Sequence, residues 1–229
     1  MSTKRIIVIG GSAAGPKAAS KARRMDENAE ITIYQKASDL SMASCGYPYY
    51  IGGFFDDRNQ LLCSPAGVVR DSKFFWNAKK INTKVLTEVT KIDRKQKNIE
   101  FTDLTTGEKG TAEYDKLVIA TGATPRKPPV PGIELEGITT LQSLTDADFL
   151  RKIRDEGKIK KAVVIGGGLI GIETCEALHL AGIEITLIEL LPQLLTFLDK
   201  HMARLVEKYV KTKANVILQT EWPLFWVKT

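Results

Sequence analysis

Cysteine and histidine are scarce in this chain of 229 residues, which has three cysteines and two histidines. Cys45, Cys63 and Cys175 are far apart and form no C-x-x-C pair. This spacing disfavours a disulfide framework, a zinc site and a dithiol redox pair. Because only His179 and His201 could add ligands, we expect no metal site.

Long apolar runs are also missing. No uncharged apolar stretch approaches the ~18 residues that a transmembrane helix needs. The apolar residues 6–9 run directly into Gly10 and Gly11 instead of a longer signal region with a cleavage site. The chain is 43% hydrophobic, which excludes a disordered protein. We therefore expect a cytoplasmic protein of one or two domains with no membrane partner.

The formal charge of +6 does not by itself indicate nucleic acid. The basic residues fall in separate groups, at 21–24, 79–80, 94–97 and 158–161. These groups lack the interleaved aromatic residues of a base-stacking surface. A solvated surface accounts for most of them, and we expect no nucleic-acid partner.

An internal repeat organises the chain. Residues 6–15 (IIVIGGSAAG) reappear as residues 162–171 (AVVIGGGLIG), and residues 30–34 (EITIY) reappear as residues 184–188 (EITLI). Each copy reads as an apolar strand, a glycine turn, a helix and a second β-branched strand, which is a βαβ unit. The repeat predicts an α/β protein with two Rossmann-like dinucleotide-binding domains.

The glycine spacing in each copy has a physical reason. Gly10 and Gly166 permit the tight turn after the strand, while Gly15 and Gly171 allow close packing of helix and strand. The helix N-terminus then presents free N–H groups to a pyrophosphate.

The two copies differ at two informative positions. The middle position is Gly168 in the second copy and Ser12, which is also small, in the first. At the end of the second strand Glu189 is the acid that binds a ribose, and its charge favours NADH over NADPH. The first copy has Gln35 there, an amide that can also bind a ribose hydroxyl.

A proline-rich stretch divides the chain. Residues 116–123 read as a strand that enters a glycine turn, and four prolines follow between residues 125 and 131. Proline at this density is typical of a linker. We therefore predict a boundary between domains of residues 1–122 and 123–229. Residues 83–101 alternate as β-structure does, with a turn at residues 106–107.

Cys45 lies in the segment SMASCGYPYYIGG, residues 41–53. Glycine and proline around it suit a loop or a helix start, where the helix N-terminus would stabilise a reactive thiolate. The alternative is a cysteine buried for packing. We adopt that alternative for Cys63 and for Cys175, which shares a helix face with core residues.

These motifs together resemble the flavin-dependent pyridine nucleotide-disulfide oxidoreductases. Within that family the chain is similar to the single-cysteine branch of coenzyme A-disulfide reductases and NADH-dependent persulfide reductases. The resemblance rests on the glycine turn at 10–15, residues 41–53, ATGATP at 120–125, GGGLIGIE at 166–173, and Glu189. Tyr50 stands where dithiol relatives carry a second cysteine, so a single-thiol mechanism is implied.

The resemblance implies roles for individual residues. Cys45 would be the catalytic thiol. FAD would bind the first unit and NADH the second, with the cofactor-binding residues being Gly10, Ser12, Ala13, Ala14, Gly15, Gln35, Lys36, Ser44, Thr121 and Gly122, then Gly166, Gly168, Leu169, Ile170, Gly171, Glu173 and Glu189. Three of these depart from the family pattern, which has an acid at 35, an asparagine at 44 and often a tyrosine at 169.

The substrate evidence comes mainly from the first helix. Lys17, Lys21 and Arg24 share one helix face and, with Ser41, are the candidate substrate-binding residues, suited to the phosphates of coenzyme A. The packing side is expected to comprise Ala18, Ala22 and Met25. The alternative is a solvated helix face without a ligand.

Three functions remain open from the sequence. The first is an FAD-containing, NADH-dependent reductase of coenzyme A disulfide or persulfide. The second is an NADH oxidase or peroxidase that uses a cysteine sulfenic acid. The third is a nucleotide-binding fragment without turnover, because by resemblance family members are about twice as long. In them the FAD domain is completed later, and a dimerisation domain absent here makes a homodimer. Residues 222–227 (WPLFWV) do not fit the family continuation.

Overall fold

The computed structural model describes residues 3–220, so residues 222–227 lie outside the described part. The chain forms two compact units. The first contains the chain up to Ala43 together with Asp57–Ala123, and the second contains Ser44–Asp56 together with the chain from Thr124 onward. The departure of Ser44–Asp56 from the first unit is not predicted by the sequence patterns. The assignment of residues 1–122 and 123–229 to two cofactors stays a prediction.

The regular elements follow the chain in a mixed α/β order. The strands in the described residues are β1 (Arg5–Ile9), β2 (Glu30–Tyr34), β3 (Asn82–Lys84), β4 (Thr87–Asp93), β5 (Asn98–Asp103), β6 (Lys109–Glu113), β7 (Lys116–Ile119), β8 (Lys161–Ile165), β9 (Glu184–Glu189) and β10 (Asn215–Leu218). The α-helices there are α1 (Ala14–Met25), α2 (Tyr47–Gly52), α3 (Ser72–Lys79), α4 (Leu144–Glu156), α5 (Leu169–Leu180) and α6 (Lys200–Val210).

The first unit is built on a parallel sheet with the strand order β3-β2-β1-β7. Its core is formed by β-branched strand residues and aromatic residues of α3, with Val8, Ile31, Ile33 and Phe75 almost completely buried. A second, antiparallel sheet has the order β4-β5-β6. Continuous apolar strands are expected where helices and loops cover a parallel sheet.

The second unit is built on a parallel sheet with the order β10-β9-β8. Ile185, Leu187 and Leu194 are buried in it. Helix α4 begins with a capping box in which Ser143 and Asp146 exchange side-chain and backbone hydrogen bonds. No helix among residues 3–220 combines the length and the apolar character needed to cross a membrane.

Several predictions of local structure are confirmed. Both repeats form βαβ units, residues 116–119 form a strand, and Gly122 follows with a positive φ of 70°. The β-structure predicted for residues 83–101 is present as β3, β4 and β5, and Gly107 has a φ of 77° in the expected turn. Residues 121–130, within the proline-rich stretch, contain no helix or strand.

Candidate functional site

The first glycine turn joins β1 to α1. Gly10 has a φ of 108°, and its N–H donates to the carbonyl of Tyr34 over 2.8 Å. A Cβ at Gly10 would overlap the carbonyl oxygen of Ala120, and one at Gly15 would overlap that of Gly10. Both overlaps involve backbone atoms, which cannot rotate away. Glycine is therefore required at both positions, for the turn and for close packing as expected.

The second glycine turn repeats this geometry between β8 and α5. Gly166 has a φ of 106°, and its N–H donates to the carbonyl of Ile188 over 2.8 Å. A Cβ at Gly171 would overlap the carbonyl oxygen of Gly166. At the middle position Gly168 borders open space, with no atom within 4 Å of a Cβ placed there. Ser12 is exposed at the equivalent position of the first turn.

A second pair of glycines, which the sequence patterns did not single out, ties each turn to the end of its second strand. The N–H of Gly11 donates to Oε1 of Gln35 over 2.9 Å, and that of Gly167 donates to Oε2 of Glu189 over 2.6 Å. Gly11 and Gly167 are in register in the repeat, which is the signal that could have identified them. The predicted ribose ligands Gln35 and Glu189 therefore also brace the turns.

The two helices that follow the glycine turns lack the side-chain cap found at the N-terminus of three other helices. Helices α1 and α5 have no side-chain cap and no acidic residue in their first turn. By contrast, Asp71, Ser143 and Asp199 cap α3, α4 and α6. The first N–H groups of a helix lack internal partners and attract anions. Helices α1 and α5 thus leave these groups available for a phosphate.

The remaining predicted cofactor residues lie around these turns. In the first unit Ala13 and Ala14 begin α1, Thr121 and Gly122 follow β7, and Lys36 pairs with Glu88 at 2.8 Å. Ser41, predicted for substrate, donates its N–H to the carbonyl of Gly11 over 2.7 Å. In the second unit Leu169, Ile170 and Glu173 are exposed on α5.

The three cysteines differ in accessibility. Cys45 is exposed in a 3-10 turn, Ser44–Gly46, immediately before α2. Cys63 is half-buried, with its Sγ 3.4 Å from the carbonyl of Gly67. Cys175 is buried, and burial raises the pKa of its thiol from 9.0 to about 12. Cys45 is therefore the most accessible of the three thiols, and it belongs to the second unit with Ser44.

The basic face of α1 is exposed as predicted, since Lys17, Lys21 and Arg24 all face solvent. The predicted packing side is partly wrong, because Met25 is 72% exposed. The buried residues of α1 are Gly15, Pro16, Ala19 and Ser20. At 100° per residue, Met25 lies about 150° from the middle of that stripe.

Lys79 of α3 adds a cation to this face. Its Nζ donates to Oγ of Ser20 over 2.8 Å. Partial burial, followed by the nearby charges of Arg24, Arg70 and Lys17, lowers the pKa of Lys79. The first unit thus brings Arg70 and Lys79 near two cations of α1, Lys17 and Arg24.

Comparison with known proteins gives the family. The family model described as pyridine nucleotide-disulphide oxidoreductase matches residues 4–222. The chain belongs to this family. It is 34% identical over 203 residues to a coenzyme A disulfide reductase of Staphylococcus haemolyticus, covering 89% of this chain and 44% of the relative.

Two further members of the family are similar over the same part. An NADH oxidase of Methanocaldococcus jannaschii is 35% identical, with 93% of this chain and 46% of the relative covered. The solved structure of an NAD-dependent persulfide reductase from A. fulgidus superposes with a TM-score of 0.90 at 41% identity, over 95% of this chain and 40% of that one. The chain thus spans less than half the length of these relatives.

Proposed function

We propose that this chain supplies the nucleotide-binding and thiol-bearing part of an FAD-dependent reductase. Electrons would pass from NADH through the flavin to Cys45, which reduces coenzyme A disulfide or a coenzyme A persulfide. The observation that carries the proposal is an exposed cysteine, Cys45, in a chain with two glycine turns of the same construction. The relatives of the previous section include a coenzyme A disulfide reductase and a persulfide reductase.

The residues present fit two dinucleotides. Both glycine turns leave a helix N-terminus without a side-chain cap, which suits a pyrophosphate. Glu189 accepts N–H bonds at both oxygens, from Gly167 and Leu191, and a carboxylate still has lone pairs for ribose hydroxyls. When bound, FAD would carry two electrons from NADH to the thiol. The first turn would hold FAD and the second NADH.

Cys45 would do the sulfur chemistry. Its thiolate attacks one sulfur of coenzyme A disulfide, the S–S bond breaks, and one coenzyme A thiolate leaves. The mixed disulfide on Cys45 then takes up two electrons that originate in NADH. This step releases the second coenzyme A thiolate and restores the Cys45 thiolate. With one proton taken up, NADH and the disulfide give NAD⁺ and two coenzyme A thiols.

The cations of the first unit are the proposed recognition site for the phosphates of the substrate. The charges of Lys17, Arg24 and Arg70 act on Lys79, and none of the four forms an ion pair with a carboxylate among the described residues. Unpaired cations attract phosphate groups, and the attraction weakens with salt. The set predicted from the sequence was Lys17, Lys21, Arg24 and Ser41, and we keep Lys21 and Ser41 in the proposed site.

The test is NADH consumption by the purified chain with coenzyme A disulfide, persulfide, oxygen or peroxide as acceptor. Flavin absorbance first establishes whether FAD is bound in stoichiometric amount. We expect Cys45→Ser to abolish disulfide reduction and Cys63→Ser, the matched control, to leave it within about twofold. Full activity of Cys45→Ser would contradict the proposal. A colourless protein without turnover would favour a nucleotide-binding piece of a longer enzyme.

An NADH oxidase or peroxidase is the second candidate. It is favoured by the similarity to the NADH oxidase of M. jannaschii. With peroxide, the Cys45 thiolate would take one oxygen to become a sulfenic acid, and the other oxygen would leave as water after taking up protons. Faster NADH turnover with oxygen or peroxide than with coenzyme A disulfide would select this function. The homodimer and the cytoplasmic location expected for a full-length member stay predictions.

A further inference from the structure

One arginine of the second unit makes three hydrogen bonds to the segment that carries Cys45. Arg151 lies on α4, and its side chain is 11% exposed. Its Nη1 donates to the carbonyls of Tyr50 and Phe55 over 2.9 and 2.8 Å, and its Nη2 donates to Asp56 over 2.5 Å. These three acceptors all belong to Ser44–Asp56, the part of the chain that leaves the first unit.

The contacts of Arg151 close the C-terminal end of α2. The last carbonyls of a helix have no N–H donor within the helix, and a cation there also interacts favourably with the helix dipole. Tyr50 provides one of these carbonyls, and its ring lies 5.2 Å from the guanidinium carbon of Arg151. The hydroxyl of Tyr50 donates to Oδ1 of Asp148, one turn earlier on α4, over 3.1 Å. Helix α2 is therefore attached to α4 at two points.

The guanidinium is suited to this position in a way that lysine is not. Arg151 also donates from Nε to Asp155 on its own helix over 2.8 Å, so all three of its nitrogens are engaged. Burial disfavours the cation, but hydrogen bonds with Asp56 and Asp155 outweigh it and raise the pKa of Arg151. A lysine has a single nitrogen and cannot reproduce this forked set of bonds.

Cys45 stands at the opposite end of the same short element. The 3-10 turn Ser44–Gly46 continues without a break into α2. Tyr47, Tyr50 and Ile51 are buried, at 3%, 7% and 0% exposure, so this element is anchored on one face. A change in the orientation of α2 would carry the exposed thiol of Cys45 with it.

We infer that Arg151 is a positioning residue for Cys45, since it holds the segment Ser44–Asp56 on α4 and so fixes the direction in which the thiol can be approached. The inference rests on the proposed function in taking Cys45 as the reacting thiol. A disulfide must approach a thiolate along its own S–S bond, so its rate depends on orientation. Iodoacetamide, which is small and neutral, reaches any exposed thiol.

The experiment uses the full 229-residue chain with Arg151→Met, Arg151→Lys and Asp56→Asn. Lys152→Met is the matched control, because Lys152 is the next residue of α4 and its side chain is 72% exposed. Hydrogen exchange is followed by mass spectrometry in peptides of residues 44–56 and of β9. The rates at which Cys45 reacts with coenzyme A disulfide and with iodoacetamide are measured by peptide mapping.

We expect Arg151→Met to speed exchange in residues 44–56 by about tenfold or more while β9 is unchanged, since charge-assisted bonds to a local segment are lost. Its reaction with coenzyme A disulfide should slow by about tenfold, with the iodoacetamide rate within about twofold. Asp56→Asn should give a smaller change of the same kind. Arg151→Lys should show smaller changes in both the exchange rate and the rate with coenzyme A disulfide than Arg151→Met. Lys152→Met should match the parent in both rates.

Other outcomes overturn the inference. Unchanged exchange in residues 44–56 means that Arg151 does not hold the segment. Faster local exchange with both thiol rates altered equally means that its role is structural only. If Arg151→Met unfolds the whole unit, the decision passes to Arg151→Lys and Asp56→Asn, and the absence of a selective effect in both rejects the inference. Failure of the proposed function is seen separately, as a parent Cys45 no faster than Cys63 with coenzyme A disulfide.

Discussion

Replacing Gly171 by alanine tests whether close contact between α5 and the second glycine turn limits the stability of the second unit. A Cβ at this position would overlap the carbonyl oxygen of Gly166. That oxygen cannot move freely, because it shares a peptide unit with the N–H of Gly167, which donates to Oε2 of Glu189 over 2.6 Å. Gly168, three residues earlier, is the matched control, since a Cβ there meets no atom within 4 Å.

The size of the effect follows from two opposing contributions. Alanine is more favourable than glycine inside a helix by about 1 kcal/mol. Overpacking costs typically about 1–3 kcal/mol, and the upper end applies because the opposing atom belongs to the backbone. The net loss should be about 1–2 kcal/mol, which lowers Tm by about 3–10 °C for a unit of this size. Gly168→Ala should change stability by less than about 0.5 kcal/mol.

Urea unfolding, followed by circular dichroism, measures both variants, and hydrogen exchange in β8 and β9 assigns the loss to the second unit. NADH binding provides the second measurement. Gly168→Ala should bind NADH more weakly without loss of stability, because its Cβ enters the open space over the turn that a pyrophosphate would occupy. A Gly171→Ala protein as stable as the parent, or a Gly168→Ala protein destabilised equally, would refute this reasoning.

Three further predictions follow from individual contacts. The pKa of Cys175 is raised from 9.0 to about 12, so its stabilising contribution is complete below pH 9 and is lost as the pH rises toward 12. Between pH 8 and 10.5 the parent should lose about 2 kcal/mol more unfolding free energy than Cys175→Ala, and equal losses would exclude burial of this thiol as the cause. Gln35→Ala should cost about 1–3 kcal/mol in urea unfolding, because the buried N–H of Gly11 loses its acceptor, and an unchanged value would contradict that role. Glu189→Gln should improve the Kd for NADPH relative to NADH by about tenfold in a fluorescence titration, since the carboxylate no longer repels the 2′-phosphate, and an unchanged ratio would remove Glu189 from the ribose site.

The elements that follow from local patterns could be predicted from the sequence. Both βαβ units, the strand at 116–119 and the turn at Gly122 are encoded in short runs of apolar residues and glycine. The need for glycine at Gly10 and Gly15 also follows from the turn alone. The direction of the buried stripe on α1 was harder to predict, because alanines lie on several faces of that helix and only packing decides among them.

Long-range contacts could not be predicted in the same way. Arg151 meets its partners Tyr50 and Asp56 across 101 and 95 residues, and no periodicity or motif links them. Lys79 joins Lys17 and Arg24 through the packing of α3 against the rest of the first unit. Such side chains are identified by the fold, whereas the thiol and the glycine turns that they support are identified by motifs.

The difference between the two repeats at Gln35 and Glu189 has a physical explanation in burial. Each side chain accepts the N–H of the second glycine of its turn, so the geometric role is the same. Gln35 is only 7% exposed and its Nε2 donates to the carbonyl of Asp39 over 3.1 Å, whereas Glu189 is half-buried. Burying a carboxylate costs far more than burying a hydrogen-bonded amide. In the first copy a neutral amide therefore accepts the N–H of the turn at a position from which water is excluded. In the second copy the charged carboxylate accepts it at a position that solvent still reaches.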